Sequence, residues 1–107
     1  MKLPENIEGL IKAQNELDST AFASYFTEHA TVSDEGSSYF GREEIKSWIR
    51  EATEKYNMQT TPIDFNQTGS KGKLTVEVSG TFPGSPAVMN YHLEMDGSSI
   101  SSLKITD

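Results

Sequence analysis

The sequence predicts an α+β domain in which three N-terminal helices pack on one face of a curved, mainly antiparallel sheet. Three observations carry this. Apolar residues recur at helical spacing in the stretches before Tyr56 that lack turn signals. Beyond Thr60 the period changes to 2, with one apolar and one mostly polar face per strand, the mark of a sheet covered on one side. The breaks between those strands are short and rich in Gly, Pro, Ser and Asp, which suits hairpins. With no internal repeat and no linker, residues 1–107 read as a single domain.

The first helix is expected over Pro4 to Asp18. Pro4 suits a helix start, and Glu5 and Glu8 favour the positive end of its dipole. Ile7, Leu10, Ile11, Gln14 and Leu17 share a face, so a glutamine sits within an apolar stripe. Asp18 or Ser19 can cap a second helix carrying Phe22, Tyr25 and Phe26 and ending near Glu28-His29. Ala30 to Asp34 reads as a short strand with Val32 and Asp34 on one face, Glu35-Gly36 as a turn, and Ser38 to Phe40 as a returning strand. After Gly41 comes the strongest helical pattern, Ile45, Trp48, Ile49, Ala52 and Tyr56. Glu44 can complete its cap, and Glu51 and Lys55 form an i,i+4 pair on a solvated face. In the second half, Thr61, Ile63 and Phe65 alternate with polar neighbours. So do Leu74, Val76, Val78 and Phe82, and then Met89, Tyr91, Leu93 and Met95; Leu103 and Ile105 follow. The concave face is expected to hold Leu74, Val76, Val78, Phe82, Met89, Tyr91, Leu93, Leu103 and Ile105.

Composition narrows the function. A net charge of −7 disfavours phosphate backbones and anionic lipid, so neither nucleic acid nor a membrane is an expected partner. The absence of cysteine removes thiol nucleophiles and thiolate metal sites. Met1 to Gly9 has no apolar core, so no signal peptide is expected and the location reads as cytoplasmic. His92 and Glu94 share a strand face but lack a third ligand, so no metal and no cofactor is expected.

The order of elements and three segments resemble a known family. The segments are Tyr25-Phe26-Thr27-Glu28-His29-Ala30-Thr31-Val32-Ser33-Asp34, Phe40-Gly41-Arg42-Glu43-Glu44-Ile45, and Tyr91-His92-Leu93-Glu94-Met95-Asp96-Gly97 with Ile100 beyond. They are similar to the SnoaL-like and ketosteroid-isomerase-like members of the nuclear transport factor 2-like superfamily. The resemblance covers nearly the whole chain. It implies a cone-shaped, cystatin-like fold whose sheet wraps a long helix and leaves a pocket at the open end. Members include isomerases, cyclases, dehydratases and epoxide hydrolases as well as non-catalytic modules, and many dimerise through the outer face of the sheet.

The resemblance and the alternation of the strand point to Asp34 as a general base. A carboxylate aimed into an apolar cone has a desolvated charged form, which raises its basicity towards neutral pH. The isomerases place their base at the position of Asp34, in a similar Ala-Thr-Val-x-Asp context. Their oxyanion-stabilising tyrosine falls where this chain has Gln14, whose amide can donate. Their second donor, an aspartic acid, falls near Met89, which cannot donate. Tyr25, Trp48 and Tyr91 point inward in this reading and, with Met89, are expected to line the pocket. Two functions follow. One is a SnoaL-like small-molecule pocket, with acid–base catalysis of an isomerase, cyclase or hydratase type by Asp34 on a small hydrophobic or carbonyl-containing ligand. The alternative is a non-catalytic dimeric module with a filled cone. Whether the protein is an enzyme stays open between them. A homodimer through the outer face of the sheet is expected in either case, because Thr75, Ser79, Thr81, Val88, Asn90 and His92 form a mostly uncharged row there.

Overall fold

The computed structural model describes residues 2–107; Met1 lies outside the described residues. The elements in chain order are α1 (Glu5–Asn15), α2 (Ser19–Ser24), β1 (Phe26–Asp34), β2 (Ser37–Phe40), α3 (Gly41–Tyr56), β3 (Gln59–Thr68), β4 (Lys71–Ser79), β5 (Ala87–Asp96) and β6 (Ser99–Thr106). The strands form one six-stranded sheet in the order β2-β1-β6-β5-β4-β3. Every neighbouring pair is antiparallel except β1 with β6, which are parallel. The three helices cover one face, and the core lies between them and the sheet: Ile7, Leu10, Phe22, Phe26, Ile45, Leu74, Val76, Ile100 and Leu103 are fully buried.

The expected concave face is inward throughout. Leu74, Val76, Val78, Tyr91, Leu93 and Leu103 are buried, and Phe82, Met89 and Ile105 pack against them half-buried. Strand β3 departs from strict alternation. Thr60 pairs with Val78 and Pro62 with Val76, but Asp64 pairs with Thr75 and Phe65 with Leu74. The extra residue, Ile63, reverses the parity, so Thr61 and Ile63 face out while buried Thr60 and half-buried Phe65 face in. A β-bulge is the device that does this, and period-2 counting cannot see it.

The helix ends also differ from expectation. Helix α1 stops at Asn15 rather than Asp18, because Leu17 adopts φ 60° and the Asp18 N–H donates back to the Ala13 carbonyl at 2.9 Å. The pair of bonds from Leu17 and Asp18 closes the helix as a Schellman motif, which leaves Leu17 exposed instead of on the apolar stripe. Helix α2 stops at Ser24 rather than at Glu28-His29. Phe26 is already a strand residue, and His29 stands exposed on β1, not at a helix end. Parallel pairing with β6 draws this segment into the sheet and outweighs its helical spacing. The caps form as the sequence suggests. Asp18 accepts from the Ala21 N–H at 3.0 Å, and Glu44 accepts from the Phe40 N–H at 3.0 Å. The Glu35-Gly36 turn has φ of 51° and 80°, the two positive values of a type I′ hairpin, and closes β1 onto β2 at the Asp34–Ser37 pair.

A leucine in the left-handed region is costly, since its Cβ crowds the next carbonyl. Leu17→Gly should therefore stabilise the protein by about 0.5–1 kcal/mol, less whatever its half-exposed side chain contributes. Thermal unfolding should show a midpoint a few degrees higher. An unchanged or lower midpoint would place the helix end under no strain.

Candidate functional site

The sheet curls around α3 without closing against it, and the gap is a cavity of about 870 Å3. Its floor is a buried polar knot. The Gln14 amide nitrogen donates to the Thr60 hydroxyl at 3.2 Å and to the Tyr91 hydroxyl at 3.1 Å. These residues come from α1, β3 and β5, and all three are buried. Next to them Asn15 bonds both backbone groups of Thr60, donating to its carbonyl at 2.8 Å and accepting from its N–H at 2.7 Å. The end of α1 is thus clamped to the start of β3.

This arrangement changes the part expected of Gln14. A primary amide has two hydrogens, and both are committed within the knot. Gln14 lines the cavity but has no hydrogen left for a ligand. Tyr91, expected only as a wall, is the group that gains. Its oxygen accepts from Gln14, and its return contact to the Gln14 carbonyl oxygen, at 3.4 Å, is long for a hydroxyl donor. The phenolic proton therefore has only a long acceptor within the knot, and a hydroxyl that accepts one bond is polarised to donate another. Burial pushes the Tyr91 phenol up to about 12, with the Gln14 hydrogen bond opposing and the charge of Asp34 adding to the rise. Tyr91 is thus a neutral donor across the physiological range.

Asp34 ends β1 and lines the same cavity, half-buried. Loss of solvent raises its carboxyl above the ordinary value, and the neighbouring Glu35 charge adds to the rise; a hydrogen bond from the Trp48 side chain partly offsets both. Trp48 also lines the cavity. It stacks on Tyr39 with ring centroids 5.7 Å apart, and Phe22 packs behind it at 6.2 Å. Met89 completes the group, on β5 two residues before Tyr91.

Five of the expected residues therefore meet at one cavity: Asp34, Gln14, Trp48, Met89 and Tyr91. Tyr25 does not. It closes the C-terminal end of α2, its carbonyl accepts from the Ile100 N–H at 2.9 Å, and its hydroxyl end packs against Gly9 of α1, where any side chain would collide with it. The early end of α2 turns the ring away from the cone's open end. Other lining residues were missed. Tyr39 reaches the cavity because the hairpin pairs it with Val32. Glu51 and Lys55 stand on its rim instead of on a remote solvated face. Their signal was present in the sequence, since they lie three and seven residues beyond Trp48 and so share its side of α3. Among the described residues no cluster of three metal-ligating side chains occurs, and no helix is long and apolar enough to cross a membrane.

No protein-family model and no curated protein matches the sequence. Solved structures do. A candidate polyketide cyclase from Sinorhizobium meliloti superimposes with a TM-score of 0.93 and 29% identity, covering 97% of this chain and 95% of that one. A protein of ketosteroid isomerase-like fold from Catenulispora acidiphila, crystallised with trimethylamine, gives 0.89 at 21% identity, with 99% and 87% coverage. A nuclear transport factor 2-like protein of unknown function from Cytophaga hutchinsonii gives 0.80 at 15% identity, with 99% and 93% coverage. The chain thus has the cystatin-like, nuclear transport factor 2-like fold, and its solved neighbours include polyketide-cyclase and ketosteroid-isomerase-like proteins.

Proposed function

We propose that the cavity binds a small carbonyl-containing molecule and moves a proton on it, with Asp34 as base and Tyr91 as the donor to the developing oxyanion. The observation that carries this is the convergence of a carboxylate with raised basicity and a buried neutral phenol on one cavity of about 870 Å3. Proton abstraction beside a carbonyl needs both groups. A base must take the proton, and a donor must stabilise the enolate oxygen in a place where water cannot. Gln14 is a positioning residue in this scheme, since its amide N–H holds the Tyr91 hydroxyl by its oxygen and its carbonyl offers the phenolic proton only a 3.4 Å contact that a ligand acceptor can replace. Met89 supplies apolar contact for the body of the ligand. The filled-cone alternative is not favoured, because the side chains that would fill the cone leave that volume open.

A second reading concerns assembly. Ile63 and Val88 are large apolar side chains exposed at 49% and 53%, and both stand on the outer face of the sheet. Around them are Thr75 and Asn90, hydrogen-bonded to each other at 3.1 Å, and His92 bonded to Thr106 at 2.9 Å. Glu77 lies beside Val88, and Lys73 and Lys104 flank His92, so charges of both signs stand around this centre and can pair across a two-fold homodimer, in which identical patches must be self-complementary.

Three outcomes are expected. With enolisable cyclic ketones as probes, α-carbon deuterium exchange should fall by about 10²-fold or more in Asp34→Asn, the usual worth of a positioned base. It should fall by about 10²–10³-fold in Tyr91→Phe, the worth of an oxyanion donor. Exchange by Asp34→Asn at the wild-type rate would remove the base from the scheme.

The second outcome is a pH signature in stability. Asp34 is raised in the folded state, so below the unfolded-state value both states hold the proton and it costs nothing. As pH rises from about 4, the unfolded chain releases the proton first. Stability then declines until the folded carboxyl also ionises, and the penalty persists above that. Asp34→Asn should therefore melt higher than wild type at neutral pH and match it near pH 3. A variant that is less stable at neutral pH would mean that the carboxylate is favoured in the fold.

The third outcome is a sedimenting species at twice the monomer mass at micromolar concentration, burying on the order of 1,200–2,000 Å2. Val88→Lys should convert it to monomer. A monomer that persists at raised salt would overturn the assembly.

A further inference from the structure

The charged groups around the cavity are unequal. Asp34, Glu35, Glu51 and Asp107 line it, against Lys55 alone. Glu35, Glu51 and Asp107 are exposed, which puts them at the mouth, and a mouth of one sign concentrates ligands of the other. Behind the carboxylates the walls are aromatic. Tyr39 and Trp48 form one stacked pair. Tyr56 and Phe82 form a second, edge to face, with centroids 5.9 Å apart. A ring face attracts a cation through its quadrupole, and carboxylates flanking aromatic faces are the chemistry that selects ammonium groups.

The chain itself supplies an example. The Lys55 ammonium lies 5.1 Å from the Tyr56 ring centroid, so a cation rests on one of these aromatic faces at the rim. The lysine stem is flexible and its charge well hydrated, so a ligand ammonium with a bulkier, weakly hydrated head can compete for the same face. An anionic ligand would meet the carboxylates with one lysine to offset them.

We propose that the ligand of this cavity carries an ammonium group, held at the mouth between the Glu35, Glu51 and Asp107 carboxylates and the Tyr39–Trp48 and Tyr56–Phe82 aromatic pairs. This rests on the reading of the cavity as a ligand site, and it adds the charge of the ligand to that reading. The ammonium sits at the mouth and the hydrogen-bond acceptor at the floor, beside Tyr91. The cavity, at about 870 Å3, has room for both ends.

Three probes of matched shape separate charge from size: choline, its uncharged carbon isostere 3,3-dimethylbutan-1-ol, and the anion 3,3-dimethylbutanoate. Calorimetric titration of the whole protein should rank them in that order, with choline about tenfold or more tighter than the alcohol. Glu51→Gln and Tyr56→Leu, both at the rim, should each shrink that preference, and added salt should shrink it further. Binding of the alcohol as tightly as choline would overturn the ammonium assignment and leave the cavity as a site for neutral ligands. Tighter binding of the anion would overturn it outright. Binding of none of the three would remove the cavity as a ligand site and the ammonium assignment with it.

Discussion

The knot of Gln14, Thr60 and Tyr91 is the constraint on which the site depends. A buried amide, hydroxyl and phenol are tolerable only while they bond one another, because each left alone would cost about 1–3 kcal/mol. The three residues lie 46 and 77 positions apart along the chain, so the network forms only when α1, β3 and β5 are in register. Asn15 adds two backbone bonds to Thr60 and fixes the same junction. Once it is fixed, α1 cannot slide over the sheet. The floor of the cone is polar where most of the interior is apolar. The bulge at Ile63 serves this junction, because it lets Thr60 and Phe65 both face inward on a strand whose simple alternation would turn one of them out.

Above that floor, the chain keeps a space that it could have filled. Met89, Ile105 and the Tyr56–Phe82 pair line the open end, and all four are half-buried where a packed core would bury them fully. Asp34 sits on this boundary. Its carboxyl is raised because the cavity withholds water, with Glu35 beside it as a second cause. Such a placement works against stability at neutral pH and leaves the carboxylate more basic than a solvated one. The same desolvation acts on Tyr91 in the direction of neutrality. One physical cause thus makes one group a better base and keeps the other a donor.

Much of the framework could be read from residue order. The stripe on α3, the turn at Glu35-Gly36 and the alternation of β4 and β5 each rest on local rules, and local rules survive in the fold. Asp34 was legible because Val32, two residues earlier on the same strand, is plainly a core residue. Tyr25 was misread because its direction depends on where α2 ends, and that end is set by the parallel pairing of β1 with β6, more than 70 residues away in sequence. Leu17 was misread for a similar reason, since nothing in its own spacing announces a leucine in the left-handed region.

By itself the sequence determined the class of the fold, the inward faces of β4, β5 and β6, and the presence of a carboxylate and a tyrosine among the inward residues. These follow from period and polarity, which are properties of neighbours in the chain. The tertiary structure decided which inward residues meet, that Gln14 spends its hydrogens on Thr60 and Tyr91, and that Glu51 and Lys55 stand at a mouth and not on an open surface. Hydrogen-bond partners and solvent access depend on elements brought together from distant parts of the chain. A side chain's type is written in the sequence, but its proton and its water are assigned only when the sheet has curled around the helix.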